Sequence, residues 1–374
     1  MKKRLVLVGG GHAHMVTLGN IHQLVAAGFD VTVIGPSEYH YYSGMGPGML
    51  SRIYTPDEIR FATRKVVVQQ GGAFIENIVT RIEPETNQVH LLDGKTISYD
   101  VLSCNAGSYV PWTTAMDTPP DVFHAKPIER LLSAQQRIIE LSGHRSVEVA
   151  VVGGGAAAVE LVGNAWRLLQ GTRARDHRVH LFARSKILER FPEKVRQACR
   201  RSLSRRGIRI HENRPVDSLK TGELVTRDGE RFVVDIVFLA VGVRPSPIFE
   251  TSGLPIGPDG GLRVNRFLQS TAHPDIFGGG DCIYFADQPL EKVGVYAVRQ
   301  NPVLFHNLKA ALTGKPLMPF IPGGDFLLIL NMGDGTGVFF KKGLLLSGRL
   351  AFRIKDYIDR RFMKKFQVYE MALP

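Results

Sequence analysis

Residues 5–8 of the chain, LVLV, are apolar without a break, and Gly9, Gly10 and Gly11 follow at once. A short apolar run closed by glycine predicts a strand buried on both faces. Apolar residues soon return in a helical segment, so the pattern predicts strand, tight turn and helix. The same succession recurs in VEVAVVGGGAAAVELVGNA, residues 147–165, where Gly153 stands 144 positions after Gly9. Further strands are predicted in FDVTVIG (29–35) and RVHLFAR (178–184), each following one of these helices. From residue 319 the pattern changes. DFLLILNMGDGTGVFFKKGLLLSG predicts strands joined by a tight Gly/Asp turn. GRLAFRIKDYIDRRFMKKFQ predicts a helix with Leu350, Ile354, Ile358, Phe362 and Phe366 on one i, i+4 stripe.

Both glycine turns follow the G-x-G-x-x-G spacing of a dinucleotide-binding unit. Gly9 and Gly153 allow the tight turn. Gly11 and Gly155 let a pyrophosphate approach the backbone at the positive end of a helix. In the third place the second turn carries Ala158, an accepted substitute, and the first carries His14. A ring there pushes the helix outward or turns away, and the anion site survives either outcome. Neither following strand ends in the usual ribose-binding acid. Gly35 takes that place in the first, with Glu38 the nearest carboxylate, and Ala183 and Arg184 take it in the second. Arginine there suits a 2′-phosphate, which admits NADPH beside NADH; the other reading of Arg184 is a solvated surface charge. Glu160 is expected in the first turn of its helix, where the dipole favours a carboxylate.

A chain of 374 residues predicts two or three domains. With 44% hydrophobic and 22% charged residues, the composition is that of a soluble globular protein. No apolar run approaches the ~18 residues of a membrane span, and LVLV is too short for a secretion signal. Cys104, Cys199 and Cys282 form no C-x-x-C pair, which predicts a reducing, cytoplasmic compartment. The net charge of +12 admits anionic cofactors and anionic lipid. No nucleic-acid-reading motif accompanies it.

Three more segments carry a family resemblance. STAHPDIFGGGDCIYF (270–285) resembles the second flavin motif of the two-dinucleotide-domain flavoproteins, with Thr271, Phe277, Gly280 and Asp281 matching. YDVLSCNAGSYVP (99–111) resembles the strand and turn that close the first flavin section, with Asn105, Ala106 and Gly107 in the turn. DIVFLAVGVRPS (235–246) resembles the close of the NAD(P)H domain. GGGHAH, HYYSGMGPGML, GVYAVRQNPVLFHNLKAAL and IKDYIDRRFMKKF place the chain in the branch of type II NADH dehydrogenases and sulfide:quinone reductases. Within it the chain looks most like the NADH-dehydrogenase-like flavoproteins sometimes fused to selenide, water dikinase. His14 then reads as a variant of the motif.

The resemblance implies an α/β protein with two Rossmann-like dinucleotide-binding domains, as in glutathione reductase, and a small C-terminal α+β domain. Residues 1–112 and 246–318 would bind FAD, 113–245 would bind NAD(P)H, and 319–374 would form the last domain with its basic helix. FAD would meet Gly9, Gly11, His12, Ala13 and His14, then Tyr42, Ser43 and Gly44 in the aromatic segment SEYHYYSGMGPGML. It would also meet Ala106, Gly107, Gly280 and Asp281, and the N–H groups of Ala297 and Val298 at a helix start. NAD(P)H would meet Gly153, Gly155, Ala157, Ala158, Glu160, Arg184 and Gly242. Gln300, matching a glutamine on the quinone side, and Glu160 are the catalytic candidates; plain polar helix residues are the alternative. Lys126 is placed near the flavin or the crossover between domains, and no metal site is expected.

The implied function is an FAD-dependent NAD(P)H dehydrogenase reducing a quinone without a redox disulfide. Two alternatives stay open: a sulfide- or selenium-linked FAD:quinone oxidoreductase, and a flavin-binding regulatory or assembly protein with negligible turnover. The basic helix over residues 349–366 lies either on the inner face of the cell membrane, or against the body of the protein or a second copy of the chain.

Overall fold

The computed structural model describes residues 2–112, 119–174 and 176–370, so the expected domain boundary after residue 112 falls at the edge of the described residues. Two five-stranded parallel sheets organise the chain. The first has the spatial order Ile276–Gly278, Val101–Cys104, Arg4–Val8, Asp30–Gly35, Ala73–Glu76. The second has the order Val122–His124, Ile236–Leu239, Glu148–Val152, Arg178–Phe182, Arg209–His211. In each sheet the strand before the glycine turn is central. The chain steps to one side of it for the next strand and later returns on the other side. The strand order therefore reverses at the glycine turn, which is where open α/β sheets leave a crevice for a ligand. Leu5 and Leu7 are fully buried, because the parallel sheet is covered on both faces.

The two units share a further feature. Each inserts a three-stranded antiparallel meander before its returning strand: Val79–Glu83, Gln88–Leu91 and Thr96–Ser98 in the first, Val216–Lys220, Glu223–Thr226 and Arg231–Val233 in the second. The outgoing strand Ser108–Tyr109 pairs antiparallel with the returning Arg244–Pro245, which ties the units together.

In the aromatic segment His40–Tyr41 pairs with Arg60–Phe61, and Gly46–Leu50 is a fully buried short helix. Two local expectations are corrected. Glu160 is the fifth residue of the helix Ala156–Gln170, whose first turn has no acid, so the dipole is not what places it. The basic terminal helix packs on a different stripe from the predicted one. It runs Arg349–Gln367 across the antiparallel sheet Leu328–Asn331, Gly337–Lys341, Leu344–Gly348. Its inward residues are Ala351, Lys355, Asp359, Met363 and Phe366, while Leu350 and Ile358 are 58% and 41% exposed. The inward face is displaced because Lys355 and Asp359 pair with each other and carry their charges inside. No helix among the described residues is long and apolar enough to cross a membrane.

Candidate functional site

The first glycine turn is built around Asn105. Gly9 has φ +87° and Gly280 has φ +80°, and a Cβ on Gly9, Gly11 or Gly280 would strike Asn105. The Asn105 amide donates to the carbonyl of Gly279 at 2.6 Å. Glycine is thus required at three points, and it brings the turn after the first strand against the second flavin motif.

His14 supplies what the missing third glycine would not. Its ring is buried; Nδ1 lies 2.6 Å from the Gly9 carbonyl and Nε2 lies 2.8 Å from Ser103 Oγ. A carbonyl only accepts, so Nδ1 carries the proton and Nε2 accepts from Ser103. Burial drives its pKa down to about 4, against the opposing Gly9 carbonyl, and the ring is neutral. The His14 side chain therefore fastens the turn to the neighbouring strand, with both ring nitrogens engaged. The helix behind it is broken, Met15–Gly19 and then Ile21–Ala26.

His12 points the other way. Its Nδ1 meets His40 Nε2 at 3.1 Å, its ring stacks on Phe362 at 5.7 Å, and Tyr42 packs on the same Phe362 at 4.9 Å. His12 Nε2 is buried without a partner. Burial and the Lys126 charge lower the His12 pKa to about 4. Ser43 and Gly44 follow Tyr42, and the Gly44 carbonyl accepts from Lys355 Nζ at 2.8 Å.

Asp281 of the second flavin motif accepts from Lys126 Nζ at 2.6 Å and from Ser108 Oγ at 2.9 Å. Lys126 thus reaches from the crossover segment to the first unit. Gln300, 1% exposed, accepts the Gly280 N–H on Oε1 at 2.7 Å and so holds that turn. The helix carrying it runs Gly294–Thr313. The first bonded N–H is that of Tyr296, which donates to the Val293 carbonyl at 3.1 Å, and the N–H groups of Gly294 and Val295 lie free ahead of it.

The second glycine turn has room beside it. A Cβ on Gly153 would strike the Ala240 carbonyl, but one on Gly155, Gly242, Gly107 or Gly294 would meet nothing within 4 Å. Ala158 is buried against the turn, Ala157 faces outward, and Arg184 is exposed just past the strand end. Open space at helix starts and the unpartnered His12 nitrogen fit two phosphate-bearing cofactors.

Glu160 joins a buried charge cluster between the two units and the terminal helix. It accepts the Asn331 N–H at 2.7 Å. Lys355 Nζ bonds Asp359 Oδ2 at 2.7 Å, and the Tyr42 hydroxyl donates to Asp359 Oδ1 at 3.1 Å. Burial raises the Glu160 pKa to about 7, offset in part by Lys355 and by the Asn331 N–H. The sequence reading missed Lys355, Asp359 and His40. A Lys and an Asp four apart inside an amphipathic helix were the available signal for the first two.

All three cysteines are free and buried. The Cys282 thiol lies 3.4 Å from the Cys104 carbonyl. Burial pushes the thiols up, Cys282 to about 11, Cys199 to about 12 and Cys104 well above its usual range. None is a ready thiolate. Among the described residues no group of three His, Cys, Asp or Glu side chains is placed to hold a metal ion.

Comparison with known proteins agrees with this architecture. The chain is 25% identical over 390 residues to the demethylphylloquinone reductase NdbB of Synechocystis, covering 100% of this chain and 94% of that one. Plasmodium falciparum NDH2 in complex with NADH superposes with a TM-score of 0.80 at 12% identity, covering 99% of this chain and 97% of that one. An engineered water-forming NADPH oxidase bound to NADPH superposes with a TM-score of 0.74 at 19% identity, covering 90% and 74%. The model of the pyridine nucleotide-disulphide oxidoreductases matches residues 3–306. With two nucleotide-binding units in one order and that match over most of its length, the chain belongs to the pyridine nucleotide-disulphide oxidoreductase family.

Proposed function

We propose that the protein is an FAD-dependent NAD(P)H dehydrogenase that passes electrons from the nucleotide through the flavin to a quinone, without a redox disulfide. The duplicated glycine turn carries the reading: each sits at the switch point of its own parallel sheet, with open space beside Gly155, Gly242 and Gly107. Residues 1–112 and 246–318 form the flavin unit, 113–245 the nucleotide unit and 319–374 the terminal unit. Bound flavin supplies hydride acceptance and onward electron transfer.

The chain's own residues bind, orient and move a proton. The turn of Gly9 and Gly11 would receive the pyrophosphate, with His12 Nε2 as a donor beside it. Asp281, held by Lys126 and Ser108, would meet the ribityl hydroxyls. The free N–H groups at the start of Gly294–Thr313 would stabilise negative charge on a bound flavin. Gln300 fixes the Gly280 turn on the acceptor side. Glu160, with a pKa of about 7 beside Lys355, holds a proton near neutrality and can release it.

The names of similar proteins support both halves of the reaction: a quinone reductase from Synechocystis and an NADH complex from Plasmodium. In the engineered oxidase, three successive substitutions introduce alanine, arginine and serine, and another introduces arginine seven positions after the first. Ala183, Arg184, Ser185 and Arg190 stand in that order and spacing here. NADH and NADPH both enter as donors. The outward face of the terminal helix, with Leu350, Tyr357 and Ile358 among Arg353, Arg361, Lys364 and Lys365, suits a peripheral contact with an anionic membrane on its cytoplasmic side.

Steady-state assay of the FAD-loaded protein with a short-chain quinone tests the reading. Quinone reduction driven by NADPH or NADH, retained in the Cys104→Ser and Cys282→Ser variants, is expected. Sulfide-driven quinone reduction abolished by those variants, with no nucleotide-driven turnover, would overturn it.

A further inference from the structure

The antiparallel sheet Leu328–Asn331, Gly337–Lys341, Leu344–Gly348 has one closed edge and one open edge. Along Leu328–Asn331 the Asn331 N–H is held by Glu160 at 2.7 Å, Arg206 donates to the Met332 carbonyl at 2.7 Å, and the helix Ala156–Gln170 packs alongside. The strand Leu344–Gly348 follows a two-residue turn, Lys342 and Gly343, with positive φ at both (45° and 85°). Such a turn makes Lys341 and Leu344 exchange both backbone bonds. The exchange recurs at Phe339 with Leu346 and at Gly337 with Gly348. The N–H and C=O groups of Leu345 and Ser347 therefore point out of the sheet. None of them meets a hydrogen-bond partner among the described residues. No proline, bulge or charged side chain interrupts the strand.

The open edge is apolar in its middle and basic at both ends. Leu344 is 65% exposed, and Leu346, on the same face, is half-buried. Lys341 and Lys342 stand at one end, Arg349 and Arg353 at the other. All four are exposed, and none forms an ion pair among the described residues. These charges decide what can cover the edge. An antiparallel second copy, with Leu345 opposite Ser347, would bring the Lys341–Lys342 turn of each chain beside Arg349 of the other, and like charges so placed destabilise pairing. The hydrocarbon of a membrane offers the outward N–H and C=O groups no partner. A strand with carboxylates at its ends satisfies the backbone and the charges together.

We propose that Leu344–Gly348 is a strand-addition site for another protein, and that the segment it takes is extended, apolar and flanked by acidic residues. The segment adds as a fourth strand and exchanges backbone bonds with Leu345 and Ser347. Its apolar side chains cover Leu344 and Leu346. Its carboxylates meet Lys341 and Lys342 at one end and Arg349 at the other. The edge is fixed before the partner arrives: one side is paired to Gly337–Lys341, and Lys194 donates to the Gly343 carbonyl of the turn. Little ordering of this chain therefore opposes binding.

Fluorescence anisotropy of the FAD-loaded protein with a labelled synthetic peptide, Glu-Asp-Val-Thr-Val-Thr-Val-Asp-Glu, tests the proposal. Saturable binding is expected, and a peptide with lysine in place of each carboxylate is expected to bind at least ~10-fold more weakly. Methylating alternate amide nitrogens of the peptide should abolish binding in one phase and spare it in the other, because only alternate amides face the edge. Lys341→Glu combined with Arg349→Glu should weaken binding at least ~10-fold; both side chains are exposed, so the variant folds. Ser347→Pro removes one outward N–H, spares the bonds to Gly337–Lys341 and should weaken binding as well. No saturable binding at millimolar peptide, or equal tolerance of both methylation phases, would overturn the site. So would a dimer in sedimentation that Ser347→Pro dissociates, which assigns the edge to a second copy, or vesicle binding that Ser347→Pro abolishes, which assigns it to lipid.

Discussion

His14 shows how one residue can break a motif and keep its purpose. Its two hydrogen bonds, to Gly9 and Ser103, replace the close helix packing that a third glycine gives. His14→Ala leaves a buried hydroxyl without its acceptor and a cavity behind the turn. We expect a loss of about 2–4 kcal/mol, read as a lower Tm and weaker flavin retention. A Tm unchanged within error would refute the fastening role. Glu160 carries a pH dependence of opposite sign to that of the buried histidines. Its native pKa of about 7 exceeds the usual carboxylate value, so its contribution is fully present below about pH 4.5. That contribution is lost as pH rises through about 7, up to about 3 kcal/mol in all. His12 and His14, lowered to about 4, contribute stability that is lost as pH falls below about 6.5. Glu160→Gln should flatten the decline in denaturant-measured stability between pH 5 and 7; an identical slope in the variant would show that another group causes it. The sequence marked both residues. It did not reveal which way either side chain faces, since that depends on Ser103 and Asn331, far along the chain.

The terminal helix shows where periodicity misleads. The i, i+4 apolar stripe from Leu350 to Phe366 is genuine, yet the helix turns a neighbouring stripe inward. Lys355 and Asp359 cancel each other's charge and bond Gly44 and Tyr42, so a polar pair occupies the interior face. Breaking one member leaves a buried charge alone. Asp359→Asn should lower stability by about 3–5 kcal/mol, whereas a paired replacement of Lys355 and Asp359 by methionine and leucine should cost less. A double-mutant cycle in urea checks this, and additive effects would contradict a coupled pair. The outward apolar residues are then free for lipid. Replacing Leu350, Tyr357 and Ile358 by serine should reduce co-sedimentation with anionic vesicles while leaving far-UV circular dichroism unchanged. Undiminished sedimentation would remove the membrane reading. Deleting the helix is a poorer test, because Met363 and Phe366 are part of the core.

At the scale of the whole molecule, two copies of one plan are joined by a two-stranded link, Ser108–Tyr109 with Arg244–Pro245. The plan was legible because both glycine turns follow unbroken apolar strands, and such strands are buried in parallel sheets. The meanders and the buried short helix Gly46–Leu50 were not, because short apolar runs near glycine and proline fit strand, helix or loop alike. The contacts closing the interior, Lys355 with Gly44 and Glu160 with Asn331, join residues too distant in sequence for spacing to reveal.

The central claim is that a nicotinamide nucleotide delivers hydride to a flavin held by the first unit. Anaerobic titration of the purified, FAD-containing protein with NADPH and then NADH, followed by flavin absorbance, tests it most directly. Rapid bleaching by either nucleotide is the predicted result. A flavin that dithionite bleaches and neither nucleotide touches would contradict it.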